Sequence, residues 1–96
     1  MKLLTKQNRK QLPKLYSQEE ITDPVAQVKF FTPWTSWTWY AVEFDGEDLF
    51  FGLVDGLEKE WGYFSLRELE SVTGPAGLKI ERDLYFGQPK IKDIRS

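Results

Sequence analysis

Three stretches carry residues with chemical potential. Residues 43 to 60 hold seven acids, Glu43, Asp45, Glu47, Asp48, Asp55, Glu58 and Glu60, against Lys59 alone. Oxygen donors at that density suit a hard cation, or, where one acid sits in an apolar pocket, a two-carboxylate hydrolase. Residues 34 to 40 crowd Trp34, Trp37, Trp39 and Tyr40 together, rings on which bases of a single strand can stack or a partner protein can anchor. Residues 2 to 14 hold Lys2, Lys6, Arg9, Lys10 and Lys14 ahead of the first acid, Glu19. What is missing matters as much. The chain has neither histidine nor cysteine, which removes the usual general base near neutral pH, the thiolate and imidazole metal ligands, disulfides, and the nucleophile–base pairs built on them.

Each stretch also has a plainer account. Asp-Gly at 45–46 and 55–56 is hairpin chemistry, and turns are polar without binding metal, so solvated turns outweigh a metal site. The acidic stretch adjoins the tryptophans, where a nucleic-acid surface would be basic. Core packing therefore accounts for most of the rings, with Trp34, in a loop before a strand, as the exception. Basic residues on a short helix most often form a solvated face.

Elements to position these residues can be read along the chain. Ninety-six residues make one domain, and 16% aromatic content supplies much burial to a small core. Thr5 and Pro13 bound a helix over 5–12, with Leu12, Leu15 and Tyr16 turned to the core. Strands are predicted at 26–31, 37–44, 49–54 and 60–64, a meander joined by the two Asp-Gly turns. In the second strand, strict alternation puts Trp37, Trp39, Ala41 and Glu43 on one face and Thr38, Tyr40, Val42 and Phe44 on the other. Gly52 and Gly62 mark places for a bulge or a neighbouring ring. Ser65 with Glu68 reads as a capping box opening a helix over 65–72, whose Leu66, Leu69 and Val72 cover one sheet face. A last extended segment, 79–86, precedes a polar tail. The fold class is α+β, with residues 1–88 as the domain and 89–96 as the tail. No apolar run approaches the ~20 residues of a membrane span, and a cytoplasmic protein is expected.

Several stretches carry a resemblance: LLTK (3–6), LPKLY (12–16), DPVAQVKFFTP (23–33), WTWYAVEFDGEDLFFGLVDG (37–56), GYFSLRELESV (62–72), GPAGL (74–78) and IERDLYF (80–86). From Leu3 to Phe86 the chain resembles a small family of single-domain proteins of unknown function found on conjugative plasmids, integrative elements and phages. The resemblance implies an accessory gene of mobile DNA, in a setting where small proteins inhibit host defence complexes by binding them. It implies no catalytic residue.

Together these readings lead to a non-enzymatic protein that binds another protein, a host or mobile-element protein such as a subunit of a CRISPR or restriction complex. The expected interface is Trp34 with Asp45, Glu47, Asp48 and Asp55, and no cofactor is called for. Two alternatives stand beside it: a single-stranded nucleic-acid binder using Lys6, Arg9 and Lys10, and a carboxylate-metal enzyme or metal-stabilised module.

Overall fold

A computed structural model gives the architecture of the protein and describes residues 2–95; Met1 and Ser96, the outermost residues of the expected domain and tail, lie outside it. Five antiparallel strands form one open sheet in the order β4-β3-β2-β1-β5. They are β1 (Val28–Phe31), β2 (Thr38–Phe44), β3 (Leu49–Asp55), β4 (Lys59–Ser65) and the two-residue β5 (Glu81–Arg82). Three short α-helices accompany them: α1 (Lys6–Gln11), α2 (Leu66–Ser71) and α3 (Ile91–Arg95). This is the small α+β sheet that the alternation and the Asp-Gly signals predict.

Local chemistry explains most of the boundaries. Thr5 caps α1 through its hydroxyl, which accepts from the Asn8 N–H, while the Asn8 side chain accepts from the Thr5 N–H in return. The Ser65 hydroxyl accepts from the Glu68 N–H, but the rest of the α2 cap differs from the predicted box. Asp48 supplies it from the β2–β3 connection, accepting from the Ser65 hydroxyl at 2.7 Å and the Arg67 N–H at 2.8 Å. Asp45-Gly46 lies in the first hairpin connection, whereas Asp55 ends β3 and only Gly56 enters the second; neither pair makes a two-residue turn, since β3 starts at Leu49 and β4 at Lys59. In the first connection the Asp45 carboxylate accepts three backbone N–H groups, from Glu47, Asp48 and Leu49, which favours a wider loop.

One sheet face carries the main core. Val28, Phe30, Ala41, Phe44, Phe50 and Phe64 pack there under Leu3, Leu4, Leu12, Leu66, Leu69 and Ile80. Phe50 is its hub, stacked on Phe44 at 4.5 Å and on Phe64 at 5.1 Å, with Phe30 edge-on at 5.4 Å. The opposite face holds a smaller cluster of Ala26, Val42, Leu53 and Ile91, flanked by Tyr40, Phe86 and Ile94.

Three expectations are corrected. Strict alternation in β2 fails, because the register with β3 shifts between Ala41 and Glu43. The extra residue of this bulge, Val42, reverses the facing of the residues after it: Phe44 pairs with Phe50 on the main-core face, and Glu43 pairs with Phe51 on the other. Gly52 pairs with Ala41 at the edge of the bulge, where a Cβ would overlap the Tyr40 carbonyl oxygen. The predicted strand 79–86 shrinks to a two-residue strand: Lys79 bridges back to Thr73 instead of joining the sheet, and beyond Arg82 the Asp83 carboxylate draws the Tyr85 N–H into a turn. The stretch 90–95 is not a polar tail: Lys90 bridges to Val25, the Ile91 N–H donates to the Pro24 carbonyl, and Ile91 is buried in the smaller cluster. Its apolar residues, Ile91 and Ile94, sit three apart on a single turn of helix, too short a period to stand out among lysines.

Candidate functional site

The bulge in β2 has a chemical consequence. It turns Glu43, in the apolar run Ala-Val-Glu-Phe, to the smaller-core face, where the residue is only 3% exposed. Its carboxylate is not stranded there. One oxygen accepts the Tyr16 N–H and the other the Gln18 N–H, both at 2.8 Å, so the acid fastens the turn formed by residues 15–20 across the sheet. Tyr16 has φ of +68°, a left-handed conformation that a bulky residue rarely holds without external constraint. The ring itself is exposed, contrary to the core position predicted for it.

Beside this clamp lies a groove of about 450 Å³, lined by Gln18, Glu19, Ile21, Thr22 and Pro24 on the loop side and by Val42, Glu43, Phe51 and Trp61 on the sheet side. Its floor is a row of rings. Phe51 and Trp61 stack at 5.5 Å with planes 7° apart, and Tyr63 tilts against Phe51 at 4.9 Å. Trp61 and Tyr63 belong to β4, the outermost strand, and remain 38% and 51% exposed.

The field over this groove is negative. The Tyr63 phenol titrates above its ordinary value, chiefly through its hydrogen bond with the Tyr16 hydroxyl, then through desolvation and the charges of Glu19 and Glu43. The opposite end of β4 carries both signs: Lys59, between Glu58 and Glu60, donates from Nζ to the Ile94 carbonyl, and Lys92 and Arg95 line an adjoining depression together with Asp23, which pairs with Lys92 at 3.6 Å.

The residues singled out from sequence take other places. Trp34 is half-buried against the main core, its ring lying where a Cβ on Gly74 would be. Asp45 and Asp48 hold backbone at the first hairpin and at α2, and Glu47 is exposed in the same loop. Both aspartates titrate below the usual carboxylate range. For Asp45, desolvation pushes upward and is outweighed by the N–H groups of Asp48, Glu47 and Leu49; for Asp48, the Ser65 hydroxyl and Arg67 N–H dominate. Asp55 sits at the other end of β3, opposite Thr38 and Lys59, so the four acids do not share one surface. Among the described residues no three carboxylates come close enough to hold a metal ion. Of the basic candidates, Lys6 and Lys10 are exposed on α1, while Arg9 donates to the Gly46 carbonyl and lies over the Phe44 ring at 5.5 Å.

Sequence reasoning misses Glu43, Tyr16, Phe51, Trp61 and Tyr63 as a group. A charged residue inside Ala-Val-Glu-Phe and rings at alternate positions of Trp61-Gly62-Tyr63 are visible signals, but the bulge that joins them is not.

The fold and groove define a small open-sheet α+β protein with an exposed row of rings on an edge strand. The chain belongs to the family described as "Protein of unknown function (DUF2958)", whose model matches residues 3–91. No curated protein and no solved structure matches it. No helix among the described residues is long and apolar enough to cross a membrane.

Proposed function

We propose that the protein is a non-enzymatic binding protein that acts on another protein through the groove lined by Glu19, Glu43, Phe51 and Trp61, with Tyr63 packed against Phe51 beside it. The finer part of the proposal makes it a cytoplasmic accessory factor of a mobile genetic element that inhibits a host defence complex. The observation that carries the binding role is the pair of exposed rings on β4, Trp61 and Tyr63, packed against Phe51 of β3. Large amphipathic rings beside a pocket are the residues on which protein interfaces concentrate their affinity. The lack of histidine and cysteine favours binding over catalysis. The mobile-element part is supported by the resemblance of residues 3–86 to proteins of plasmids and phages.

The test is affinity capture from host lysate, with and without nuclease, using three tagged proteins: wild type, Trp61→Ala, and Lys6→Ala/Lys10→Ala. A stoichiometric protein retained by the wild type and the lysine variant but lost from Trp61→Ala is the expected result. If the captured species is nucleic acid, released by nuclease and weakened by the lysine substitutions, the protein-binding reading fails in favour of the nucleic-acid one. The defence-inhibitor part is checked by phage plating on restricting hosts that express the protein. Unchanged plating against every restriction or CRISPR system tried refutes it.

A further inference from the structure

The two edges of the sheet are built differently. At one, β5 pairs Phe30 with Arg82 and Phe31 with Glu81 and adds one last bond, from the Asp83 N–H to the Lys29 carbonyl, before the chain turns at Tyr85. Short, charged, interrupted edges are how sheets avoid further pairing. At the other, β4 runs in unbroken register with β3 from Lys59 opposite Asp55 to Ser65 opposite Leu49, with no proline and no bulge. Alternate backbone N–H and carbonyl groups of an outermost strand point away from its only neighbour, and a seven-residue edge of this kind can pair with an added strand.

Charge and reach select what that strand carries. Side chains of an added strand alternate between faces, so every second one lies beside Trp61 or Tyr63. Glu43 pairs with Phe51 and Phe51 with Tyr63, which puts the acidic end of the groove in the Tyr63 row. The other end is mixed, with Lys59, Lys92 and Arg95 set among Asp23, Asp55 and Glu60. Strands lie ~4.8 Å apart, so a side chain must cross β4 to reach Phe51, and only a long one does. A long cation satisfies both demands: its stem covers Tyr63 and its charge lies beside the Phe51–Trp61 stack within the field of Glu19 and Glu43.

We infer that β4 receives an extended segment of the partner protein as a sixth strand, and that an arginine or lysine of this segment fills the groove over Phe51 and Trp61. This rests on the protein-binding reading above and adds the mode of docking and the chemistry of the partner.

The probes are two blocked nine-residue peptides of alternating threonine and valine, one with a central arginine and one with a central glutamate. Binding is followed by amide exchange and by the Trp61 indole resonance. Expected are at least tenfold slower exchange at alternate β4 amides with the arginine peptide, binding at least tenfold weaker for the glutamate peptide, and a loss of several-fold on Glu19→Gln. Unprotected β4 amides at saturating arginine peptide, or equal binding of the two peptides, overturns the inference. So does protection of β4 that rises with protein concentration in the absence of peptide, since the edge is then taken by a second copy. If lysate capture depends on Trp61 while the arginine peptide leaves β4 unprotected, protein binding survives and strand addition falls. Capture indifferent to Trp61→Ala removes both.

Discussion

Substituting Glu43 tests whether a buried acid holds the groove open. In Glu43→Ala two charge-assisted hydrogen bonds of 2.8 Å disappear, and each such bond is worth about 1.5–3 kcal/mol, which gives an upper limit of about 3–6 kcal/mol. Two effects reduce it. The released N–H groups of Tyr16 and Gln18 lie in a turn that reaches solvent, so water replaces part of what is lost. The turn can also relax, releasing the roughly 1–2 kcal/mol that a left-handed tyrosine holds. A loss of about 2–4 kcal/mol remains. Glu43→Gln keeps one acceptor and brings an amide donor against the second N–H, so about half that loss is expected.

Urea denaturation reads these values directly. At an m-value of about 1.5 kcal/mol/M, a 3 kcal/mol loss lowers the midpoint by about 2 M. Glycine adopts positive φ freely, so a Tyr16→Gly background needs the clamp less, and the double-mutant cycle should show a coupling of about 0.5–1 kcal/mol. A Glu43→Ala protein within about 0.5 kcal/mol of wild type, with amide exchange at Tyr16 and Gln18 unchanged, would refute the clamp.

Single contacts elsewhere give the other predictions. Gly74→Ala drives a methyl into the Trp34 ring, so a loss of about 1–3 kcal/mol is expected by thermal denaturation, with partner capture intact at temperatures where the variant is folded. Removing residues 89–96 strips Ile91 from the smaller core and exposes Val42 and Leu53; Ile91→Ala alone should lower stability by about 2–4 kcal/mol, whereas a true tail would leave it unchanged. Because the Asp45 and Asp48 carboxyls are held below their unfolded values, their contribution is present above about pH 4 and is lost as the pH falls through the folded pKa values. Asn at both positions should flatten the acid limb of the stability profile. Tyr40 and Tyr63 titrate above their ordinary value, Tyr40 through burial first and then Asp55 and Asp83, so their contribution is present below about pH 10 and is lost as the pH rises further. Phe at each position should flatten the alkaline limb, followed by circular dichroism.

Elements with a local cause are legible in the sequence, and features with a tertiary cause are not. Thr5, Ser65 and the two Asp-Gly pairs act on backbone within a few residues, so α1, α2 and the meander can be placed from type and spacing. The bulge is different. Nothing in Trp-Tyr-Ala-Val-Glu-Phe fixes where β2 adds a residue, because that depends on pairing with β3, and a shift of one reverses every later side chain. The error carries into the site, since unbroken alternation assigns Glu43 to the face of Trp39, away from Phe51 and Trp61. Trp34 escapes for a related reason: its neighbour Gly74 is forty residues away, and only the folded chain reveals that the ring has a seat.

The acidic residues divide by what their oxygens already hold, and the placing of the proposed binding surface follows from that division. Asp45 accepts three N–H groups, and Asp48 accepts an N–H and a hydroxyl, so each spends its charge on backbone order at one end of the sheet. Glu43 also holds backbone, but it does so from beneath a groove, so its charge acts on whatever lies over Phe51 and Trp61. Glu19 stands at the rim of the same groove with an exposed side chain. An acidic surface drawn from sequence density would be centred on the first hairpin. The hydrogen bonds place the proposed surface instead on the face of β4, where Glu19 and Glu43, the rings of Phe51 and Trp61 and an outermost strand coincide, and where Trp61→Ala is the substitution expected to separate binding from folding.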